Sequence, residues 1–448
     1  MKMPRSLIVK TAGRLGLWGY LFFLSIAFMG DGMKSSFKEP LKAYLHEHAA
    51  DFTELVSFVI GVLGTSLVQS SSTVTSIAVT LSQDGVVPLL IAIGIVHGAN
   101  LGTSVTSSLV AFVAETRPLT GQPMRDLYTL LFSPRLPGFR RAVQTAVVHG
   151  LFNAIMVTGI LLAFELPFGL IHSLSQWTAE RIGGALAGSG HVLDVLDYLS
   201  PDTYAKPVSR GLLHLGLPGG LLVLLGFVLL FQALKGFSTT MKSALMHDVV
   251  GDGELPDVEA LGRKLLGHTP MDTFLRGLIL TILVQSSSAT TSMVVPLAAM
   301  GFFSLRQVFP FIMGANIGTT TTALLAASTA VGQPGFEAGL TIALSHFYLN
   351  TIAVILVATV PGLQHSIIGT TSWLASMAER VPAALLGYLF AMSVGVPALI
   401  FFTPDIVARV VLSAVVGLMV FGPHIFRAPR RLGAEAVVDV PSDDARAA

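Results

Sequence analysis

The sequence predicts an all-α polytopic membrane protein made of two inverted-topology repeats, each with a re-entrant helical hairpin and a broken helix. Three observations predict it: a low density of charge, a succession of long apolar stretches, and one polar motif that occurs twice. Of 448 residues, 52% are hydrophobic and only 12% charged, where a soluble domain has about 25% charged residues. Too little polar surface remains to cover a water-facing globule, so lipid is the main solvent. The net charge of +1 leaves no basic stripe for a nucleic acid. The absence of cysteine excludes disulfides, thiolate metal sites and Cys nucleophiles.

Apolar stretches of spanning length cover 15–33, 86–113, 142–166, 212–234, 305–331, 336–361, 382–403 and 405–426, each near or above the ~20 residues that a bilayer core requires. The first follows Lys2, Arg5, Lys10 and Arg14. It leads into Gly30-Asp31-Gly32 rather than a small-residue cleavage site, so it reads as an uncleaved membrane helix. Two further stretches, 52–82 and 272–302, are apolar at both ends and polar in the middle. Their centres read Gln69-Ser70-Ser71-Ser72-Thr73-Val74-Thr75-Ser76 and Gln285-Ser286-Ser287-Ser288-Ala289-Thr290-Thr291-Ser292. Polar clusters at mid-depth are costly against lipid and turn inward. A half-thickness helix needs only about 10 residues, so each stretch can enter, turn at the cluster and leave on the same side. Two ordinary spans is the alternative.

The second motif, Gly98-Ala99-Asn100-Leu101-Gly102-Thr103 and Gly314-Ala315-Asn316-Ile317-Gly318-Thr319, keeps the same spacing. Gln285 minus Gln69 and Asn316 minus Asn100 are both 216. Comparing Phe58–Ala111 directly with Phe274–Ala327 gives about 23 identities in roughly 54 positions, far above the ~6% expected from average composition. The match resumes in His149-x-x-x-Asn153 and His346-x-x-x-Asn350, and again in Ala179-Glu180-Arg181-Ile182 and Ala378-Glu379-Arg380-Val381. The chain is duplicated.

Charge sets the relative orientation. The connection 114–141 holds Arg117, Arg125, Arg135, Arg140 and Arg141, while its counterpart 332–336 has no Lys or Arg. The positive-inside rule makes the first cytoplasmic and the second external. Lys235, Lys242, Arg263, Lys264 and Arg276 bring the second hairpin in from the cytoplasmic side, and Arg427, Arg430 and Arg431 keep the C-terminus there with the N-terminus. The repeats are then inverted, as in many secondary transporters. Residues 167–211, with Asp194, Asp197 and Asp202, read as an external loop with surface helices around Trp177 and Glu180, set against an apolar counterpart near 382–403.

Three successive hydroxyls cannot share one helix face, because neighbours are about 100° apart. They converge if a helix begins there, which also frees backbone N–H groups and suits an anion. Hydroxyl and Gln oxygens can equally ligate Na⁺. The bland reading is Ser/Thr-mediated helix packing. The Gly-Ala-Asn segments suggest local unwinding beside a ligand, or else a close helix crossing. His149/Asn153 and His346/Asn350 are pairs on one helix face, read as support behind the site.

On these residues the chain resembles the type II sodium-dependent phosphate cotransporter family, bacterial branch, over roughly 52–166 and 272–361. The resemblance implies symport of inorganic phosphate with Na⁺ as the coupling ion, no other cofactor and no enzymatic step. It implies phosphate binding by Ser70, Ser71, Ser72, Ser286, Ser287, Ser288, Asn100 and Asn316. Sodium would fall to Gln69, Gln285, Thr75, Ser76, Thr291, Ser292, Thr103 and Thr319, with His149, Asn153, His346 and Asn350 behind them. The absence of cysteine departs from animal members, which carry a disulfide in their large external loop.

The expected organisation is an N-terminal cytoplasmic segment, first membrane helix and external loop (1–51), then the first transport core (52–166). An external loop with surface helices, a connecting membrane helix and a cytoplasmic loop follow (167–271). The second core (272–361), C-terminal membrane helices (362–426) and a disordered cytoplasmic tail (427–448) complete it. The expected location is the cytoplasmic (inner) membrane, the partners phosphate, Na⁺ and the bilayer, with a homodimer left open. Rival readings are a sodium-coupled carrier of another oxyanion or a small dicarboxylate, an anion channel, and an intramembrane hydrolase with a Ser nucleophile and His149 or His346 as base. The last lacks an orienting carboxylate and would have two equal sites.

Overall fold

The computed structural model describes residues 10–21, 54–68, 70–113, 138–186, 202–226, 265–328, 334–360 and 362–395, with single residues or pairs between 24 and 36, between 228 and 240, and at 330. The described part is all-helical, with no strand among the described residues. Gln69, most of the 114–141 connection, the 187–201 segment and the C-terminal stretch beyond 395 lie outside them.

The first motif pair gives four helices: α1 (Glu54–Val68), α2 (Ser71–Gln83), α3 (Leu89–Gly102) and α4 (Ser104–Val113). Then come α5 (Gly138–Ile160), α6 (Leu170–Leu186) and α7 (Asp202–His214). The second motif pair gives α8 (Pro270–Val284), α9 (Ser287–Ala299), α10 (Leu305–Gly318) and α11 (Thr321–Ser328), followed by α12 (Phe336–Thr359), α13 (Leu363–Arg380) and α14 (Ala383–Phe390). The breaks fall at the motifs. Helices α1 and α8 stop at Val68 and Val284, and α2 and α9 each begin three residues later. Helices α3 and α10 stop at Gly102 and Gly318, just before the Thr of the second motif. Local chemistry starts the second set: Thr269 and Asp272 form a reciprocal capping box with Pro270 at the first helical turn, and Ser304 does the same with Gln307. Gly85 and Gly301, with φ of 70° and 92°, turn the chain from α2 into α3 and from α9 into α10.

Helix α1 packs along α3, and α8 along α10. The motif glycines set that approach. A Cβ on Gly98 would stand 1.8 Å from the Phe58 carbonyl oxygen, and one on Gly314 would stand 2.0 Å from that of Phe274. Gly61 and Gly277 face back in the same way, each 2.0 Å from a carbonyl oxygen of the partner helix. These glycines are helical and allow a close helix crossing, the second of the two readings of these segments; the helix is interrupted just after Gly102 and Gly318, at Thr103 and Thr319–Thr320. Gly98→Ala or Gly314→Ala is expected to lower stability by about 1–3 kcal/mol through overpacking, read as the unfolding midpoint in detergent.

The second hairpin arms pack crosswise. Helix α2 lies against α11, and α9 against α4 and α5. At the far ends, Gln83 Nε2 donates to the Ala327 carbonyl at 2.9 Å and the Arg141 guanidinium to that of Ala299 at 3.2 Å. Helix α5 is the buried centre, with Phe139, Ala142, Val143, Ala146, Leu151 and Phe152 fully enclosed. Three helical stretches among the described residues are long and apolar enough to cross a membrane: Leu89–Phe112, Leu305–Ser328 and Phe336–Thr359.

Residues 170–186, expected to hold a surface helix around Trp177 and Glu180, do form a helix, and it also has a buried side. It packs on α12, with Ile171 and Ala179 buried and the Thr178 hydroxyl 2.9 Å from that of Tyr348. Only its outer side, where the Arg181 guanidinium sits 3.9 Å over the Trp177 ring, is surface. Its structural counterpart is α13, which packs on α5, rather than residues 382–403. The shared Ala-Glu-Arg sequences lie in the second half of α6 and at the end of α13. Glu165, at the close of a π-helical turn after α5, accepts from the Ile171 and His172 N–H groups at 2.7 and 3.1 Å and so caps α6.

Candidate functional site

The two Gln-Ser-Ser-Ser segments become helix starts. Ser70 and Ser286 adopt extended backbone, with φ of −150° and −153°, and act as N-caps whose hydroxyls accept from Thr73 N and Ala289 N at 3.2 Å each. Val74 N and Thr290 N bond back to the Ser70 and Ser286 carbonyls. What the caps do not take are the first two N–H groups of each helix, those of Ser71 and Ser72 and of Ser287 and Ser288, which have no intrahelical acceptor. Each helix start therefore presents two amides with its positive dipole end.

The starts belong to one centre, although their motifs are 216 residues apart (285 − 69). The Ser72 hydroxyl donates to the Gln285 carbonyl at 2.9 Å, so the two motifs touch. The Ser288 hydroxyl donates to the Thr103 carbonyl, also at 2.9 Å, joining the second hairpin to the first broken helix. Ser71 and Ser287 are buried. Gln285 has φ 56°, the only left-handed non-glycine residue among those described. Such a conformation costs about 1–3 kcal/mol and persists where the surroundings impose it.

Behind the tips lies a buried amide network. Asn100 Nδ2 donates to Asn350 Oδ1 at 2.9 Å, and Asn316 Nδ2 to Asn153 Oδ1 at 3.0 Å. These are the same contact made once by each half. Asn153 Nδ2 donates to the Asn100 carbonyl at 2.8 Å, and Asn350 Nδ2 to that of His346 at 2.9 Å. His149 Nε2 lies 2.8 Å from Asn316 Oδ1. That oxygen only accepts, so Nε2 carries the proton and Nδ1 faces the Thr291 hydroxyl at 3.4 Å as an acceptor. The second half's equivalents do not meet: His346 Nδ1 and Thr75 Oγ1 are buried without a partner. Asn316 thus has both ends of its amide in protein bonds, which makes it a brace between halves.

Of the residues expected to ligate sodium, Thr75, Ser292 and Thr319 have buried, unpartnered hydroxyls, while Thr103 returns its own to the Ala99 carbonyl at 2.9 Å. Ser76 is half-buried, and Gln69 lies outside the described residues. Three polar groups escaped the sequence reading. His97, buried with an unpartnered Nε2, has Met313 at the matching position (97 + 216), so comparison of the halves passes over it. Thr65 and Thr281, also buried and unpartnered, do match (281 − 65 = 216), and that identity was the available signal.

Spanning helices that break around an enclosed hydroxyl- and amide-rich centre define a multi-pass membrane protein with an intramembrane polar site. Residues 21–200 and 258–390 match the model of the Na⁺/Pi-cotransporter family, and the chain belongs to that family. It is 26% identical over 409 residues to sodium-dependent phosphate transport protein 2A of Ovis aries, covering 76% of this chain and 60% of that one. It is 26% identical over 386 residues to protein 2B of Homo sapiens, covering 68% and 53%. A shorter match to human protein 2C reaches 38% over 149 residues, 33% of this chain and 24% of the relative. The chain thus spans about 60% or less of the length of these relatives. No solved structure matches. The family is one of transporters rather than enzymes, which sets the serine-hydrolase reading aside.

Proposed function

We propose that this chain carries inorganic phosphate together with Na⁺ across the cytoplasmic membrane, by alternating access between two inverted repeats. The observation that carries the reading is the contact of two duplicated helix starts at one buried centre, in a chain of the Na⁺/Pi-cotransporter family. The amides and hydroxyls of Ser71, Ser72, Ser287 and Ser288 are the anion's donors, with Ser70 and Ser286 holding the helix starts in shape. Asn100 and Asn316, expected as phosphate ligands, instead spend their amide N–H groups on Asn350 and Asn153 and tie the two halves together behind these donors.

None of the proposed ligands is Lys or Arg. A permanent cation would hold phosphate without sodium, whereas neutral hydroxyls let anion affinity depend on a bound Na⁺. Gln69, Gln285, Thr75, Ser76, Thr291, Ser292, Thr103 and Thr319 are the proposed oxygen ligands around it. The unequal contacts of the halves fit alternating access: His149 meets Thr291 while His346 and Thr75 stand apart, and the opposite-facing state exchanges the two arrangements.

Ser71→Ala or Ser287→Ala removes one donor from a desolvated oxyanion, worth roughly 1–3 kcal/mol. Phosphate affinity is expected to fall at least severalfold while expression holds. The function itself is tested by labelled phosphate uptake into proteoliposomes with and without an inward sodium gradient. Uptake that follows the gradient is expected; uptake indifferent to sodium would favour the anion channel. Competition by unlabelled sulfate and dicarboxylates settles the substrate class.

A further inference from the structure

We propose that Thr65 and Thr281, one turn before each Gln-Ser-Ser-Ser segment, are sodium ligands that tie each cation site to the phosphate donors of the opposite hairpin. The inference rests on the sodium-coupled reading above and adds residues to it.

Thr75, Thr319 and Thr351 also carry buried, unpartnered hydroxyls, but among the described threonines only Thr65 and Thr281 are both unpartnered at equivalent positions of the two halves. A threonine inside a helix ordinarily returns its hydroxyl to the carbonyl four residues back. Thr103, Thr273, Thr290 and Thr371 all do so here, at 2.7 to 3.0 Å. Thr65 and Thr281 do not, although they sit in regular helix and are only 1% and 0% exposed. An unpaired buried hydroxyl is costly, and its occurrence at both equivalent positions of a duplicated chain points to a common partner.

The surroundings suit a small cation. Thr65 and Thr281 lie in the last turns of α1 and α8, where carbonyls lack intrahelical donors and the helix dipole is negative. In α8 the Thr281 carbonyl is taken by Gln285 N at 2.6 Å, which leaves those of Ile282, Leu283 and Val284 without an intrahelical N–H. Across the close crossing, a Cβ on Gly102 would stand 2.7 Å from Thr65 Cβ, and one on Gly318 2.8 Å from Thr281 Cβ. The hydroxyl-bearing side chains thus pack against the turns that carry Thr103 and Thr319, and Thr319 Oγ1 is likewise buried and unpartnered. Hydroxyl and carbonyl oxygens without a carboxylate suit a monovalent hard cation better than a divalent one.

The same turns reach the other hairpin. The Thr103 carbonyl, beyond Gly102, accepts from Ser288, and the Gln285 carbonyl, one turn after Thr281, accepts from Ser72. A cation that orders either turn therefore orders a phosphate donor of the opposite half, a direct route for the coupling that cotransport requires.

The test uses the full chain in proteoliposomes with Thr65→Val and Thr281→Val, which keep shape but remove the oxygen, and Thr65→Ser and Thr281→Ser, which keep it. Half-saturating sodium for phosphate uptake is expected to rise about tenfold in each Val variant, the scale of losing a supporting metal contact, and to stay near wild type in each Ser variant. Binding of ²²Na⁺ to purified protein without phosphate should weaken in step. Wild-type sodium dependence in both Val variants overturns the assignment, as does an equal defect in Val and Ser variants. If a Val variant fails to fold, Thr→Ala with the same ²²Na⁺ measurement decides. Wild-type uptake that ignores sodium would instead remove the cotransport reading itself.

Discussion

Asn316→Ala is expected to be the most damaging single truncation at the site. It leaves the His149 Nε2–H and Asn153 Oδ1 unsatisfied, and both side chains are fully buried. At roughly 1–3 kcal/mol for each orphaned group, the loss is about 2–6 kcal/mol, a large part of the ~5–15 kcal/mol that a folded protein typically has. A markedly lower unfolding midpoint in detergent and loss of uptake should occur together. Asn153→Ala removes the same contact from the other side, so the double variant should cost less than the two singles combined. Strict additivity, or a midpoint close to wild type, would mean that the amides do not brace the two halves.

Gln285→Gly should separate strain from function. Gln285 holds φ 56°, and glycine adopts that conformation without the ~1–2 kcal/mol penalty borne by other residues. The main-chain carbonyl that accepts from Ser72 is retained. Stability is therefore expected to hold or rise by up to about 1 kcal/mol, while half-saturating sodium rises about tenfold from loss of the side-chain oxygen. Gln285→Ala keeps the strain and loses the oxygen, so it should be both less stable than Gln285→Gly and equally impaired. A glycine variant with wild-type sodium dependence would mean that the side chain plays no part in cation binding.

The breaks in this fold were legible because polarity at mid-depth has few solutions. Ser runs inside apolar stretches had to turn inward, and the helices do stop at Val68 and Val284 and restart at Ser71 and Ser287. The Asn and His residues were legible as a group through their duplication, but their pairing was not. That Asn100 meets Asn350, and Asn316 meets Asn153, is decided by contacts between halves, which spacing along one chain cannot express. The glycines left two readings open because close crossing and unwinding demand the same small residue. Only the partner backbone at Phe58 and Phe274 distinguishes the two. Helix α6 was legible as a surface helix around Trp177 and Glu180, but what it packs on was not. Ile171 and Ala179 bury against α12, a partner more than 150 residues away in sequence, as the 2.9 Å contact between Thr178 and Tyr348 records (348 − 178 = 170).

The central claim is that neutral donors at the two helix starts bind phosphate only with the help of a bound Na⁺. Equilibrium binding of labelled phosphate to the purified protein, at a series of sodium concentrations with ionic strength held constant by choline, tests it most directly. Phosphate affinity is expected to rise steadily with sodium and then to level off, with an equal and reciprocal effect of phosphate on ²²Na⁺ binding. A phosphate affinity that is the same in sodium and in choline would contradict the account.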